Sequence, residues 1–549
     1  MQLGASLEAV AHFERALSAW PTDRDRAERA RLLRECGRLR SRASRSDERA
    51  LPALEEALAE FMALGDDVEA AWTLALIANA RFEAGERDGP FQDWERALAV
   101  LRAEPGPALR SALVGQSRAM ALTGPRDQAM LAADEGLRVP CDGSGPEAEF
   151  DRINLLITRG MATLLGGDPS GRADVESALG LANAMHDDLG AARAHHILGA
   201  AWTDDVASAV HHVASAGELV ARHGMMLPQA FYSALSGYLL AVHGEWDAAE
   251  RRVDETTHLL ARVGRDVWTT FNLIDTRGRV ALGRGDLDAA VRHFRELVAA
   301  EDLTPDFEDQ ADAYSGLATA LLCSGRTDEM DEAIEKGLRI LPRLSGETWL
   351  RTIVVGVEAH LAAGRLAQAR GLAAAAGDDA MRPYLADAAR ALGDLNDGAV
   401  EAAAATADRV GAHLDGAVLR VGAAIVMAVY PEHRAGAARL ARSAHARFRE
   451  LGSDAWCRRL EGMLRTLGHR APTPHEAGAG GLSARELEVL GLVAEGLTNR
   501  QIAARLQVTQ HTAIRHVANI MAKLGAPSRA AAVRIAAERG ILGPRTPAG

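Results

Sequence analysis

Seven times within residues 4–373 a glycine is followed by small or apolar residues five and nine positions later, and the last four of these cassettes begin 41, 40 and 39 residues apart. They are Gly4/Ala9/Phe13, Gly89/Trp94/Leu98, Gly124/Ala129/Ala133, Gly244/Ala249/Val253, Gly285/Ala290/Phe294, Gly325/Met330/Ile334 and Gly364/Ala369/Ala373. A glycine can take the left-handed conformation that ends one helix, while positions +5 and +9 stand one turn apart on the next and face back onto its predecessor. A near-constant period of this kind restricts the chain to stacked helical hairpins, because one hairpin alone cannot bury its apolar face.

Residues 1–467 show no strand-like alternation, only amphipathic stretches separated by short Gly/Asp turns. With 549 residues the chain exceeds what one compact core holds, and its 48% hydrophobic content includes only 4% aromatics, which suits close helix-on-helix packing. The expected fold is all-α. The segments Gly285–Phe294 and Gly244–Glu250 resemble the middle of a tetratricopeptide repeat; since the period exceeds that family's about 34 residues, the array is tetratricopeptide-like. The alternative is an irregular helical bundle. Because the first cassette begins at Gly4, the array is expected to start on the second helix of a hairpin.

Cys36, Cys141, Cys323 and Cys457 lie far apart, without the spacing of a zinc site or disulfide framework. The N-terminus lacks the basic start and apolar stretch of a signal peptide, and Val421–Tyr430 is too short to span a bilayer, so a cytoplasmic protein with no membrane partner is expected. Residues 468–481, with two prolines and four glycines, read as a flexible linker. Net charge is −13, yet residues 482–541 hold eight basic and four acidic side chains, which suggests that this end meets a polyanion.

Four short helices are predicted within 482–549. Ser483 with Glu486 and Thr498 with Gln501 form capping boxes; Thr509 and Ser528 can cap the third and fourth helices, and Gly496, Gly525 and Gly540 stand where helices stop. Leu487, Leu490, Val493, Leu497, Ile502, Leu506, Val508, Val517, Ile520 and Leu524 supply an apolar centre at helical spacing. The second and third helices are separated by a few residues around Leu506–Val508, which is the helix-turn-helix arrangement, with the third helix placed for the major groove.

The stretch Leu482–Gly525 resembles the LuxR/FixJ-type DNA-binding domain: Glu486 and Glu488 fall on its first-helix pattern, Asn499 and Ile502 on the second, and Thr512, His516, Asn519, Lys523 and Gly525 on the third. The resemblance implies a transcription regulator, by family habit an activator, that binds double-stranded DNA as a homodimer and works with RNA polymerase. Dimerisation falls to the fourth helix, at Ser528, Ala530, Val533 and Ala537. The family's usual Val-Lys after Thr512 is here Ala513-Ile514. Arg515 is therefore assigned the main base contact, since a guanidinium pairs bidentately with guanine, and Ile514 can touch a thymine methyl. Gln510, His511 and Asn519 are further base-contact candidates. Arg500, Arg505, Thr509, Thr512 and Lys523 are assigned to phosphates, which set position without sequence information.

Regulators of this type often carry a receiver, an acyl-homoserine-lactone pocket, or an ATPase followed by helical repeats. The last plan matches, and the chain resembles the C-terminal part of a large ATP-binding, maltose-activator-like regulator without its ATPase domain. A Walker A loop needs a Gly-Lys pair, and the two lysines, Lys336 and Lys523, do not follow glycine. No cofactor is expected. The pairs His195-His196 and His211-His212 lack metal-ligand spacing and read as solvated or core histidines, and no enzyme motif is present. The array is thus expected to sense a small molecule or a protein. The competing readings are an interaction scaffold with vestigial DNA binding and a shortened form of a longer ATP-binding regulator.

Overall fold

The computed structural model describes residues 3–21, 25–43, 49–86, 88–123, 125–140, 145–201, 205–264, 266–300, 307–344, 346–377, 382–469, 484–506, 510–524, 526, 528–538 and 541. Among them the regular structure is helical throughout, and no strand occurs. No described helix is long and apolar enough to cross a membrane. Two compact units are formed, one from residues 1–440 with 451–455, the other from 441–450 with 456–549.

The first unit is a stack of antiparallel helix pairs. Met226–His243 pairs with Trp246–Val263, Val267–Arg284 with Leu287–Ala299, Phe307–Cys323 with Thr327–Ile340, and Gly346–Ala362 with Leu366–Ala375. First helices of successive pairs also pack on each other. Gly244, Gly285, Gly325 and Gly364 sit in the left-handed region, with φ of 91°, 79°, 78° and 72°, and turn the chain between the helices of a pair. All eight cassette residues that follow them are buried, from Ala249 and Val253 to Ala369 and Ala373. The period in the sequence is therefore the period of the fold.

Two cassettes are corrected. Gly4 lies inside helix Leu3–Ser18, and its partners Ala9 and Phe13 are only half-buried. Gly89 lies inside helix Asp88–Leu101, and the left-handed turn belongs to Gly85, at φ 103°. Trp94 and Leu98 are nonetheless fully buried, because their own four-residue spacing keeps them on one face. Gly124 lies outside the described residues; Ala129 and Ala133 are buried.

Close approach explains other glycines. The Phe294 ring fits between two neighbouring helices because Gly278 and Gly316 lack side chains: a Cβ would stand 2.8 Å from the nearest ring carbon at Gly278 and 2.5 Å at Gly316. A larger residue at either would force the ring out of a site where it is 1% exposed.

Later helices of this unit return to earlier ones. Helix His413–Ala428 packs against Met226–His243, Phe307–Cys323 and Gly346–Ala362. Val206 N–H donates to Val410 O at 2.9 Å, His243 Nδ1 bonds Gly411 O at 2.9 Å, and Trp246 Nε1–H donates to Leu451 O at 3.1 Å. Polar side chains complete the closure. Arg351 grips Asp415 with both terminal nitrogens at 3.2 and 3.1 Å, Tyr384 donates to the same carboxylate at 2.9 Å, and Arg382 joins Glu347 to the Ala201 carbonyl. Burial alone would raise the Asp415 pKa, but Arg351 holds it below the usual carboxylate range.

Candidate DNA-binding interface

Four helices, Ala484–Ala494, Asn499–Leu506, Gln510–Leu524 and Arg529–Glu538, surround a common centre in the second unit. The second begins with a reciprocal capping box: Thr498 N–H donates to Gln501 Oε1 at 2.8 Å, and Gln501 N–H donates to Thr498 Oγ1 at 3.4 Å. Gly496, at φ 84°, ends the first helix, with its N–H on Val493 O and that of Leu497 on Leu492 O. Ser528 Oγ accepts from Ala531 N–H at 3.2 Å and starts the fourth helix. Ser483, Thr509, Gly525 and Gly540 lie outside the described residues, as do linker positions 470–481.

Leu490, Val493, Ile502, Val517, Ile520 and Leu524 are buried as the spacing predicts, and Leu487, Leu497 and Leu506 pack against them partly buried. Val508 is outside the described residues. The centre also takes in Val489, Leu492, Ala503, Ala513, Ala526, Ala532 and Ala536. Several of these are alanines, which lets the helices approach closely.

Burial fixes which way the third helix faces. Ala513, Val517, Ile520 and Leu524, spaced four, three and four residues, all point into the centre. Ile514 is 46% exposed and Ala518 is exposed, so at these two described positions the opposite side meets solvent. The two departures from the family pattern thus separate: Ala513 is a core residue, and Ile514 stands on the outer face. Arg500 and Arg505, on the second helix, are exposed. Gln510, His511, Thr512, Arg515, Asn519 and Lys523 belong to the third helix, with side chains outside the described set. On the fourth helix and its cap, Ser528, Ala530 and Ala537 are exposed, while Val533 is half-buried against the domain's own centre.

One residue that sequence reasoning passed over fixes the geometry. Arg529 Nη1 donates to Asn499 Oδ1 at 2.8 Å and Nη2 donates to the Leu497 carbonyl, tying the start of the fourth helix to the start of the second. Asn499 is thereby occupied within the domain. A basic residue directly after a helix-capping serine was the available signal.

Residues 481–536 match the family described as bacterial regulatory proteins, luxR family. The segment is 48% identical over 63 residues to Rv0890c of Mycobacterium tuberculosis, 39% over 67 residues to the transcriptional regulatory protein MctR of Rhizobium johnstonii, and 44% over 66 residues to the transcriptional regulatory protein LiaR of Bacillus subtilis. Each alignment covers 12% of this chain, and 7%, 31% and 29% of those relatives respectively. Among solved structures, the Rap protein complexed with competence and sporulation factor is similar at 12% identity and a TM-score of 0.41, over 65% of this chain and 98% of that one. The C-terminal part of the chain is a LuxR-family helix-turn-helix domain.

Proposed function

We propose that this chain is a DNA-binding transcription regulator, an activator, whose helical array receives a small molecule or a protein partner and sets how the C-terminal domain engages DNA. The observation that carries the reading is the third helix of a LuxR-family domain with its inner face locked by Ala513, Val517, Ile520 and Leu524 and its outer face free at Ile514. Arg515 is the main base contact in this reading, assisted by Ile514, Gln510, His511 and Asn519. Arg500, Arg505, Thr509, Thr512 and Lys523 meet phosphates. A homodimer forms through Ser528, Ala530, Val533 and Ala537, of which three are exposed, and RNA polymerase is the downstream partner.

The test is a DNA-binding titration of the full chain against the upstream region of its own gene and a selected random pool, at two salt concentrations. Each phosphate contact contributes roughly 0.9 to the slope of log K against log salt. Sequence-selective binding with a steep slope, weakened by Arg515→Ala, supports the reading. Binding no stronger than to unrelated DNA sinks it and leaves the second reading, an interaction scaffold, which the apolar Ile514 on the outer face favours.

A further inference from the structure

Many arginines on the helix pairs of the first unit reach a carboxylate on a neighbouring helix: Arg29 meets Glu56 at 2.6 Å, Arg102 meets Glu135 at 2.8 Å and Arg284 meets Glu250 at 2.7 Å. The two helices that precede the C-terminal domain depart from this. Arg434–Glu450 and Asp454–Thr466 together hold eight arginines and three carboxylates, in a chain whose net charge is −13. Arg439 pairs with Asp397 and Arg447 with Glu450. Arg442, Arg458, Arg459 and Arg465 are exposed, and no carboxylate among the described residues stands within ion-pair distance of them.

The two helices meet through the stacked rings of Phe448 and Trp456, whose centroids are 4.9 Å apart, and through His445 Nε2, which lies 3.3 Å from Glu461 Oε1. Positions three before and four after a residue share its face of a helix. Around His445 these are Arg442 and Arg449; around Glu461 they are Arg458 and Arg465. The contact between His445 and Glu461 therefore gathers four guanidiniums along one seam, two from each helix. His445 adds no charge there: burial lowers its pKa, its Nδ1 accepts from Arg449 Nη2 at 3.2 Å, and Nε2–H is left to donate to Glu461.

Seven residues span about 10 Å of helix, and packed helix axes stand about 8–10 Å apart, so the arginines rise from a patch about 10 Å on a side. B-form DNA carries one phosphate charge per roughly 1.7 Å of axis, about six over that length, which is enough to meet all four. Neither helix exposes a large apolar side chain, so the seam lacks the anchor on which a protein interface is built.

We propose that this arginine seam is a second DNA-contacting surface, which holds backbone phosphates of the duplex beside the site engaged by the C-terminal domain. The inference rests on the regulator reading above. Fourteen residues separate His469 from Ala484, and an extended chain covers about 3.5 Å per residue, so the contacts fall within about 50 Å of that domain, roughly fifteen base pairs.

The test compares the natural full chain with the triple variant Arg442→Gln, Arg458→Gln, Arg465→Gln and with the single charge reversal Arg458→Glu. All three positions are exposed, Arg449 is left in place because it also holds His445, and helical circular dichroism checks the fold of each variant. Fluorescence anisotropy is read at several salt concentrations on two labelled duplexes of equal length, the region upstream of the gene and an unrelated sequence. Each lost phosphate contact removes roughly 0.9 from the slope of log K against log salt, so the triple variant should lose up to about 2.7 and bind at least about tenfold more weakly at low salt. Phosphates carry no sequence information, so the loss should be equal on both duplexes, and Arg458→Glu should reproduce part of it. Hydroxyl-radical footprints on the upstream region should be shorter for the triple variant, with protection lost at the flank. Selective binding by the natural chain, with affinity, slope and footprint unchanged in both variants, overturns the inference and retains the regulator reading. A loss confined to the upstream duplex also overturns it, because it would mark base reading. A natural chain that binds neither duplex selectively sinks the regulator reading and this inference together.

Discussion

Arg529 Nη1 lies 2.8 Å from Asn499 Oδ1, so the first residue of the domain's fourth helix is bonded to the first residue of its second. The second helix precedes the helix proposed to face DNA and the fourth carries the proposed dimer contacts, so this one bond relates the two proposed surfaces.

Asn499→Ala should therefore lower the stability of the C-terminal domain by about 1–3 kcal/mol, the range for a hydrogen bond to a charged group whose partner is left part-buried. Urea unfolding followed by helical circular dichroism measures it. Arg529→Ala should cost at least as much, since the Leu497 carbonyl also loses its donor, and the double variant should fall short of the sum. Strict additivity would show that the bond contributes nothing.

Replacing Trp246 by Phe keeps most of the ring, which is 7% exposed, but removes the N–H that meets the Leu451 carbonyl at 3.1 Å. A loss of about 1–3 kcal/mol in the array is expected from the acceptor left without a partner. An unchanged melting temperature would mean that this closing contact is not formed in solution.

Acid should loosen the array through its histidines. Burial lowers the pKa of His195 and of His196 to about 4, and His195 Nδ1 lies 2.8 Å from His212 Nδ1. The unfolded chain, with pKa near 6.5, takes up these protons first, so their stabilising contribution is complete above that pH and is lost as pH falls from 6.5 towards 4. Melting temperatures across that window should drop, and His196→Phe, set against the rings of Phe231 and Tyr232, should flatten the curve.

Alkali should act through Glu358, which is 3% exposed and raised by burial to about 8. Here the folded pKa exceeds the unfolded one, so the contribution is present below about 4.5 and is lost as pH rises through 8. Glu358→Gln should accordingly leave stability at pH 4.5 nearly unchanged and raise it at pH 9. A variant no more stable than the natural chain at pH 9 would contradict the buried protonated carboxyl.

Ile514→Lys tests the outer face of the third helix. It exchanges an exposed isoleucine, 46% accessible, for a cation, and should increase DNA affinity while steepening the salt slope by roughly 0.9 if the new charge reaches a phosphate. No change in either quantity would place position 514 away from DNA.

The parts of this molecule that could be read from sequence are those encoded by local spacing. Positions four apart, such as Ala290 and Phe294, share a helix face, and a glycine such as Gly285 marks a turn by its own conformational freedom, so the hairpins and the capping box at Thr498 were legible. The displacement of one turn from Gly89 to Gly85 was not, because two glycines four residues apart offer the same signal. Alanines escaped for a different reason: Ala503, Ala513, Ala532 and Ala536 fill the C-terminal core, yet alanine is equally at home on an exposed helix face. The closing contacts were hidden because their acceptors are backbone carbonyls at Val410, Gly411 and Leu451, and any residue supplies one. The adjacency of His195 and His212 likewise depends on the register between two helices, which neither histidine pair states.

The return of Val410 to Val206 has a consequence for how the array comes apart. A linear stack of repeats has two loose ends and can fray from either, each repeat leaning only on its neighbours. Here the segment after Ala407 serves as the lid for helices some two hundred residues earlier in the chain, so neither behaves as a terminal repeat. Such an arrangement favours one melting event over stepwise peeling, and it makes shortening the array from its C-terminal side more damaging than the number of residues removed would suggest, because each cut also uncovers Val206, His243 and Trp246.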